Sequence, residues 1–473
     1  MPFSGSGTKE DPYQIWNVDD LELMADRNWD YDRWPNTYFI LMEDIDMDVD
    51  PYNTGDGWEP ITWFAGRVDG NHKTIKGLMI NRPSSEVGLF ASLSPQNWGW
   101  VGNIPDPVVE NLIFENFDII GQSSGILCGR YNINTSLSSD DNFSDYHNIK
   151  NVHFKSGTIY GSSAIGPFGH RAINYNFENC SVGEDVEIYI PGGSFGGGFN
   201  GWVEYDGNHV LDGEIACNYK QCRTDATIFV GQGYPYQVGG FTGVNTTNGD
   251  RSQHGKFEQC SVRTSIISEE GTYITQISVG GLIAEPQAEY EAEDCFFRIS
   301  TNLDLQPAAG CYFGGIVGWG ASHDAYIKNC YVTLIFPESS TNIHVGRFAG
   351  DYSSASATAE FINVYNDYNL FDGDLHGNPT TLATIIGDIE NRTTAQMVYP
   401  YNAEHINGIY VDWQFYPEGG SGAVYGDFVD NPSGPWRHDV GHVYNDGYPF
   451  LFKPVVTLVS KCIPFLFKVP YWE

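Results

Sequence analysis

Basic residues are scarce in this 473-residue chain: Lys and Arg total 24 against 60 Asp and Glu, leaving a formal charge of -36. A surface that grips phosphates needs the opposite balance, so a nucleic-acid binder is excluded. No run of 18 apolar residues occurs, and no insertion into a membrane is expected. The opening string MPFSGSGTKEDPY holds neither a basic n-region nor an apolar h-region, so the expectation is a chain without a secretion leader. Cysteine occurs 9 times but never as a CxxC pair, which removes the usual zinc-ribbon and dithiol motifs. What abounds is glycine, 54 residues, together with 29 Tyr, 28 Phe and 12 Trp. Glycine, Asn, Asp and Ser scattered between short β-branched or aromatic runs predict many turns and short strands, and the aromatic content excludes disorder.

Internal repeats decide the architecture. Similar strings begin at 77 (GLMI), 111 (NLIF), 151 (NVHF), 179 (NCSV), 221 (QCRT), 259 (QCSV), 294 (DCFF), 329 (NCYV) and 363 (NVYN). Their second residues are Leu78, Leu112, Val152, Cys180, Cys222, Cys260, Cys295, Cys330 and Val364, spaced 28 to 42 apart. Most copies continue into a glycine turn and a second apolar element, as in Gly240-Phe241-Thr242-Gly243, Gly281-Leu282-Ile283-Ala284 and Gly315-Ile316-Val317-Gly318. A unit this small cannot bury its own apolar side, so the copies should stack as coils, each strand pairing in parallel with its equivalents. A propeller blade of similar length needs four strands, for which these repeats lack room. Because the five cysteines stand where other copies have Leu or Val, they read as small core residues rather than as a metal or redox site. Cys217 beside Cys222, and Cys128 and Cys311 near the glycine turns, leave an individual disulfide open.

Both ends read as separate modules. Asn17 can cap a short helix whose Leu21, Met24 and Ala25 share one face, with Asp20 at the capping-box position. The order Asp11-Pro12-Tyr13-Gln14-Ile15, a strand from Tyr38 to Asp46, Trp58 to Ile61, and Phe64 to Leu78 closely resembles the start of GLUG-motif β-solenoid proteins. A closing segment of the same type is present as Thr393 to Met397, Trp413-Gln414-Phe415, Trp436-Arg437 and Asn445 to Leu451. The resemblance covers roughly residues 8 to 452. It implies a right-handed parallel β-helix of the kind found in surface adhesins, cell-wall proteins and phage tail proteins, without a catalytic motif of its own. Cysteine at several NL positions and longer loops between rungs depart from the family pattern.

Candidate chemistry is sparse. Asp44, Asp46, Asp48 and Asp50 alternate, which invites a structural Ca2+, although alternation in a strand also suits a solvated face. Glu289, Glu291, Glu293 and Asp294, and the pair Asp372 and Asp374, are acidic runs that read as solvated loops. Gly169-His170-Arg171 and His254-Gly255-Lys256 are isolated basic fragments. Trp202, Tyr205, Tyr234, Tyr236, Tyr312 and Trp319 fall in insertions between rungs, where stacked loops make a binding face, and are the candidate glycan contacts. The last stretch is strongly apolar and interrupted by Pro454, Pro464 and Pro470. There Val455, Val456, Leu458, Ile463, Phe465, Leu466 and Phe467 are candidate contacts to another subunit or virion protein.

The fold expected is all-β: a single right-handed parallel β-helix of about nine rungs, with a short N-terminal helix and a C-terminal cap. Residues 1–76 would form the N-terminal capping module, 77–370 the repeats, 371–452 the C-terminal cap and 453–473 a docking tail. The expected function is a non-catalytic bacteriophage virion protein, a tail fibre or tailspike binding a host-surface glycan or protein, assembled as a homo-oligomer with a trimer favoured. A cellular surface adhesin is the first alternative, and a polysaccharide lyase or glycoside hydrolase the second. No resident cofactor is expected beyond the Ca2+.

Overall fold

The structure, a computed structural model, describes residues 3–27, 37–93 except 63 and 65, 108–131, 147–191 except 174, 195–206, 215–232, 236–248, 254–336 except 321 and 322, 342–352, 357–401 except 379–382, 409–417, and 428–451 except 447. It separates into two compact units, residues 1–391 and 392–473. The first is a parallel β-solenoid. On one face, strands Tyr13–Ile15, Tyr38–Leu41, Arg67–Lys76, Val109–Ser124, His147–Gly161, Tyr175–Glu178, Ile215–Lys220, His254–Glu258, Glu289–Glu293, Ala325–Lys328, Thr358–Ile362 and Thr384–Ile386 pair in succession, every pair parallel. The stack therefore runs beyond the repeat strings at both ends. Backbone ladders ask only for extended chain, so coils without a recognisable string still join.

Each coil turns at a polar residue in the left-handed region. Asn111, Asn151, Asn179, Gln221, Gln259, Asp294, Asn329 and Asn363 all have φ between 51 and 56°, a conformation asparagine tolerates better than most residues. Stacking brings these side chains into contact along the axis. Asn111 Nδ2 donates to Asp69 Oδ1 at 3.0 Å, Asn151 to Asn111 at 2.8 Å, and Asn179 to Asn151 at 2.7 Å. Further along, Gln221 donates to Gln259 at 3.0 Å and Asn329 to Asp294 at 3.2 Å. An amide both donates and accepts and so relays the chain, whereas Asp69 and Asp294, which only accept, stand at ladder starts.

The residue after each corner points inward. Register places Leu112, Val152, Cys180, Cys222, Cys260, Cys295, Cys330 and Val364 in one buried column. Leu78 does not belong to it. Lys73 pairs with Leu112, and Met79 with Asp118, so Leu78 sits one segment further along the coil. In this first coil the left-handed residues are Asn71 and His72, with φ of 49 and 58°, directly before Lys73 and not at the start of the string. All eight described cysteines are free and buried, so none of the pairings left open forms a disulfide. The column thiols lie against two carbonyls each: Cys260 Sγ is 3.2 Å from Tyr219 O and 3.4 Å from Glu258 O, and Cys295 Sγ 3.3 Å from Phe257 O and 3.2 Å from Glu293 O. Burial pushes the Cys260 and Cys330 thiols well above their usual pKa. Aromatic columns fill the rest of the core, with Phe168, Phe199 and Phe241 stacked at 4.0 and 4.5 Å and Phe177, Tyr219 and Phe257 at 5.2 and 4.9 Å.

The helix Val18–Arg27 is capped as expected, Asp20 N donating to Asn17 Oδ1 at 3.0 Å, with Leu21 and Met24 buried. The second unit is built from the closing segment. Thr393 and Gln396 form a capping box on the helix Thr394–Met397, and Trp413 stacks on Trp436 at 4.4 Å within the unit's core. The tail candidates Val455, Val456, Leu458, Ile463, Phe465, Leu466 and Phe467 lie outside the described residues.

Candidate functional site

The second corner of each coil creates the site. A Cβ on Gly239, Gly280, Gly314 or Gly346 would lie 1.8, 1.9, 1.7 and 2.2 Å from the carbonyl oxygen three residues on. Only glycine permits so tight a turn. Beyond it runs an eight-stranded parallel sheet from Phe90–Leu93 through Asn200–Asp206 and Val317–Gly320 to Ala349–Tyr352. At the start of its strands a second set of glycines presses on the pre-corner strand of the preceding coil. A Cβ on Gly243 would meet Gly196 O at 2.8 Å, on Gly318 Val279 C at 2.8 Å, and on Gly350 Phe313 N at 2.5 Å. The two strands thus close on each other at a re-entrant angle, and side chains seven positions apart meet across it. Phe195 touches Trp202 edge-on at 5.8 Å, and Tyr312 lies 6.1 Å from Trp319. Repeated along the stack, the corner becomes an external groove with one column of side chains on each wall.

The pre-corner wall carries Phe195, Gln237, Ser278, Tyr312 and His344 in register. The other carries Arg130, Arg171, Trp202, Val244, Glu285, Trp319 and Asp351. Trp319 is 41% exposed. Trp202 is half-buried and fixed: its Nε1 donates to Thr246 Oγ1 at 2.8 Å and the Arg171 guanidinium lies 4.9 Å over its ring. Arg171 in turn pairs with Glu204. Glu285 accepts from Gln237 Nε2 at 2.8 Å and Gln287 Nε2 at 2.6 Å. His344 stacks on Tyr312 at 5.3 Å, and burial, with Asp351 close by, raises the Tyr312 pKa. Asp351 is 5% exposed; its Oδ2 accepts from Asn378 at 2.9 Å, while its Oδ1 is buried without a donor among the described residues. At the other end His170 occupies the register position held by Gly129, Gly201 and Gly243 in neighbouring coils. Burial, then the nearby Arg130, lowers its pKa to about 4.

Of the aromatic residues singled out in the sequence, Trp202, Tyr312 and Trp319 line this groove. Tyr236 does not: it is 1% exposed and its hydroxyl donates to Gly231 O at 2.7 Å, because its strand turns Gln237 outward instead. Tyr234 and the Tyr205 side chain lie outside the described residues. Phe195, His344 and Asp351 carry no sequence signal of their own, although their seven-residue offset to or from the second column repeats that of Tyr312 to Trp319. Three of the acidic candidates accept local hydrogen bonds. Asp44 Oδ1 accepts from Thr74 N at 2.8 Å, Asp46 Oδ1 from Asp48 N at 3.0 Å, and Asp48 Oδ1 from Asn53 Nδ2 at 3.0 Å. Only Ile45–Asp46 of that stretch is strand. No group of three or more His, Cys, Asp or Glu among the described residues is placed to hold a metal ion. The run at 289–293 is a strand rather than a loop, with Tyr290 and Ala292 inward and Glu293 paired to Lys328 at 2.6 Å. Asp372 and Asp374 are exposed.

No protein-family profile matches the chain. Halomucin of Haloquadratum walsbyi is 34% identical over 132 residues, 27% of this chain and 1% of halomucin. A protein named "Putative Gly-rich membrane protein" of Evansella cellulosilytica is 37% identical over 91 residues, 18% of this chain and 10% of that protein. The aligned segments are thus small parts of both relatives. Among solved structures, a "putative immunoglobulin A1 protease" of Bacteroides ovatus aligns over 94% of both chains with a TM-score of 0.44 and 18% identity.

Proposed function

We propose that the protein is a non-catalytic, surface-displayed solenoid of the GLUG type whose external groove holds a glycan chain. The observation that carries this reading is the pair of aromatic platforms on the groove walls. Phe195 with Trp202, and Tyr312 with Trp319 and His344, are three coils apart, about 14 Å along the stack. Apolar faces of sugar rings stack on such rings. The names of the two relatives, a halomucin and a membrane protein, favour display on a cell surface. Display on a virion, as a trimeric tail fibre or tailspike, is the second reading. It is favoured by eight described cysteines that are all free thiols, as suits folding in a reducing cytosol.

Affinity measurements against a panel of cell-wall, capsular and exopolysaccharides test the proposal. Trp319→Ala should weaken binding about two- to twelvefold, the worth of one stacked ring. Release of oligosaccharides during the incubation contradicts the non-catalytic reading, and an affinity indifferent to Trp319 contradicts the groove. Immunolabelling of producing cells separates the two modes of display.

A further inference from the structure

The second unit displays apolar side chains on a loop that its own hydrogen bonds hold in place. Asp439 is 1% exposed, and its carboxylate accepts from the backbone N–H of Val443 at 2.9 Å, Tyr444 at 3.2 Å and Asn445 at 2.7 Å. Asn445, also buried, donates from Nδ2 to Pro449 O at 2.8 Å, and the His442 ring Nε2 is 2.9 Å from Tyr399 O. The loop so pinned turns Val440, Val443 and Tyr444 outward, 48, 64 and 40% exposed. Single exposed apolar residues are ordinary on a protein surface, but three on one short pinned turn call for a cover.

The path of the chain identifies that cover. The last described strand, Phe450–Leu451, pairs antiparallel with Trp436–Arg437, and the Phe450 ring lies 5.1 Å from that of Tyr444. Residues 452–473 therefore set out from beside the loop, and Val455 is tethered within about 18 Å of Phe450 by chain length alone. The segment is apolar, with Val455, Val456, Leu458, Ile463, Phe465 and Leu466 in it, and its charges are Lys453, Lys461 and Lys468 against Glu473. The described surface of the same unit has the opposite sign, with Asp412, Asp430 and Asp446 exposed. Apolar side chains can thus meet apolar side chains while the lysines meet carboxylates. A tether this short holds the segment near the loop at an effective concentration on the order of millimolar, which favours it over the same segment of a second copy in dilute solution.

We propose that residues 454–468 fold back on the loop Val440–Tyr444 of their own unit and form its outer layer. The tail residues that the sequence offers as contacts to another subunit then serve their own chain.

Cys462 lies within this segment, and the other eight cysteines are buried, so a thiol label reads the tail. The full chain is given short pulses of N-ethylmaleimide, and the modified fraction of Cys462 is read from its peptide by mass. In the native protein Cys462 should react about ten- to a hundredfold more slowly than in the urea-unfolded chain, the fold-change expected from burying one large apolar side chain. The rate should not vary with protein concentration. Val443→Asp, at a position exposed enough to spare the unit's core, should restore most of the unfolded rate. Ile335→Asp, at a position 53% exposed on the first unit, should leave labelling slow. Native labelling as fast as in the unfolded chain overturns the proposal, as does protection that survives Val443→Asp. Protection that fades on dilution, together with a dimer in light scattering, also overturns it and gives the seat to the tail of a second copy.

Discussion

A thiol behind the polar corner does what neither valine nor serine does. It fills an aliphatic site, and it places a weak donor against two backbone carbonyls. Cys260 shows both contacts, to Tyr219 O and Glu258 O at 3.2 and 3.4 Å. In Cys260→Ser the shorter C–O bond draws the hydroxyl back from both carbonyls and buries it poorly bonded, at a cost of about 1–3 kcal/mol. Cys260→Val should cost less than about 1.5 kcal/mol, because Val152 and Val364 already occupy the same column. Chemical denaturation of the two variants checks the order. His170 makes a second prediction at this scale. Its pKa falls from 6.5 to about 4 on folding, so between those values the unfolded chain binds the proton that the folded chain refuses. Stability is therefore full above about 6.5 and falls as pH drops towards 4, by up to about 3 kcal/mol from this one residue. His170→Gln should flatten that part of the stability profile, read from melts between pH 4 and 7.

At the scale of the coil, two corners set the cross-section and each has its own chemistry. A substitution at the glycine corner must move backbone rather than side chain: a Cβ on Gly243 would stand 2.6 Å from Gly201 O and 2.8 Å from Gly196 O. Gly243→Ala should cost at least the upper end of the ~1–3 kcal/mol typical of overpacking. Gly310→Ala, where a Cβ meets nothing within 4 Å, should leave the melting temperature unchanged. The repeat strings made this architecture legible, because equivalent coil positions demand equivalent residues and Cys180 to Val364 recur at that demand. Their register was less legible. GLMI at 77 matches the other strings, yet Leu78 falls beside the Phe117 position, since the corner of that coil is made by Asn71 and His72 ahead of the string. The polar residue that begins each string proved to be the corner itself, with Asn111, Asn151 and Asn179 linked along the axis. The groove left only a constant offset in the sequence, seven residues in both Phe195–Trp202 and Tyr312–Trp319; these pairs meet because of the angle between two strands, which glycine permits but no string spells out. Tyr236 was misplaced for the complementary reason, its strand presenting Gln237 rather than the tyrosine.

At the scale of the whole molecule, the charge of -36 bears on stability as well as on ligands. Compaction brings carboxylates closer than they are in the unfolded chain, so raising salt from about 0.01 to 0.5 M should increase the melting temperature by screening that repulsion. The continuous parallel ladder from Tyr13–Ile15 to Thr384–Ile386 gives the groove its fixed spacing, and with it a stiff template for an extended polymer. The account's central claim, that this groove holds a glycan, is tested most directly by titrating the double variant Trp202→Ala, Trp319→Ala with a polysaccharide that the unaltered protein binds. The two rings are about 14 Å apart, far enough for their effects to add. The account predicts a loss of about 1–3 kcal/mol, with no loss from Tyr160→Ala, a ring 38% exposed on a different column of the solenoid. An unchanged affinity in the double variant, or an equal loss on removing Tyr160, would contradict it.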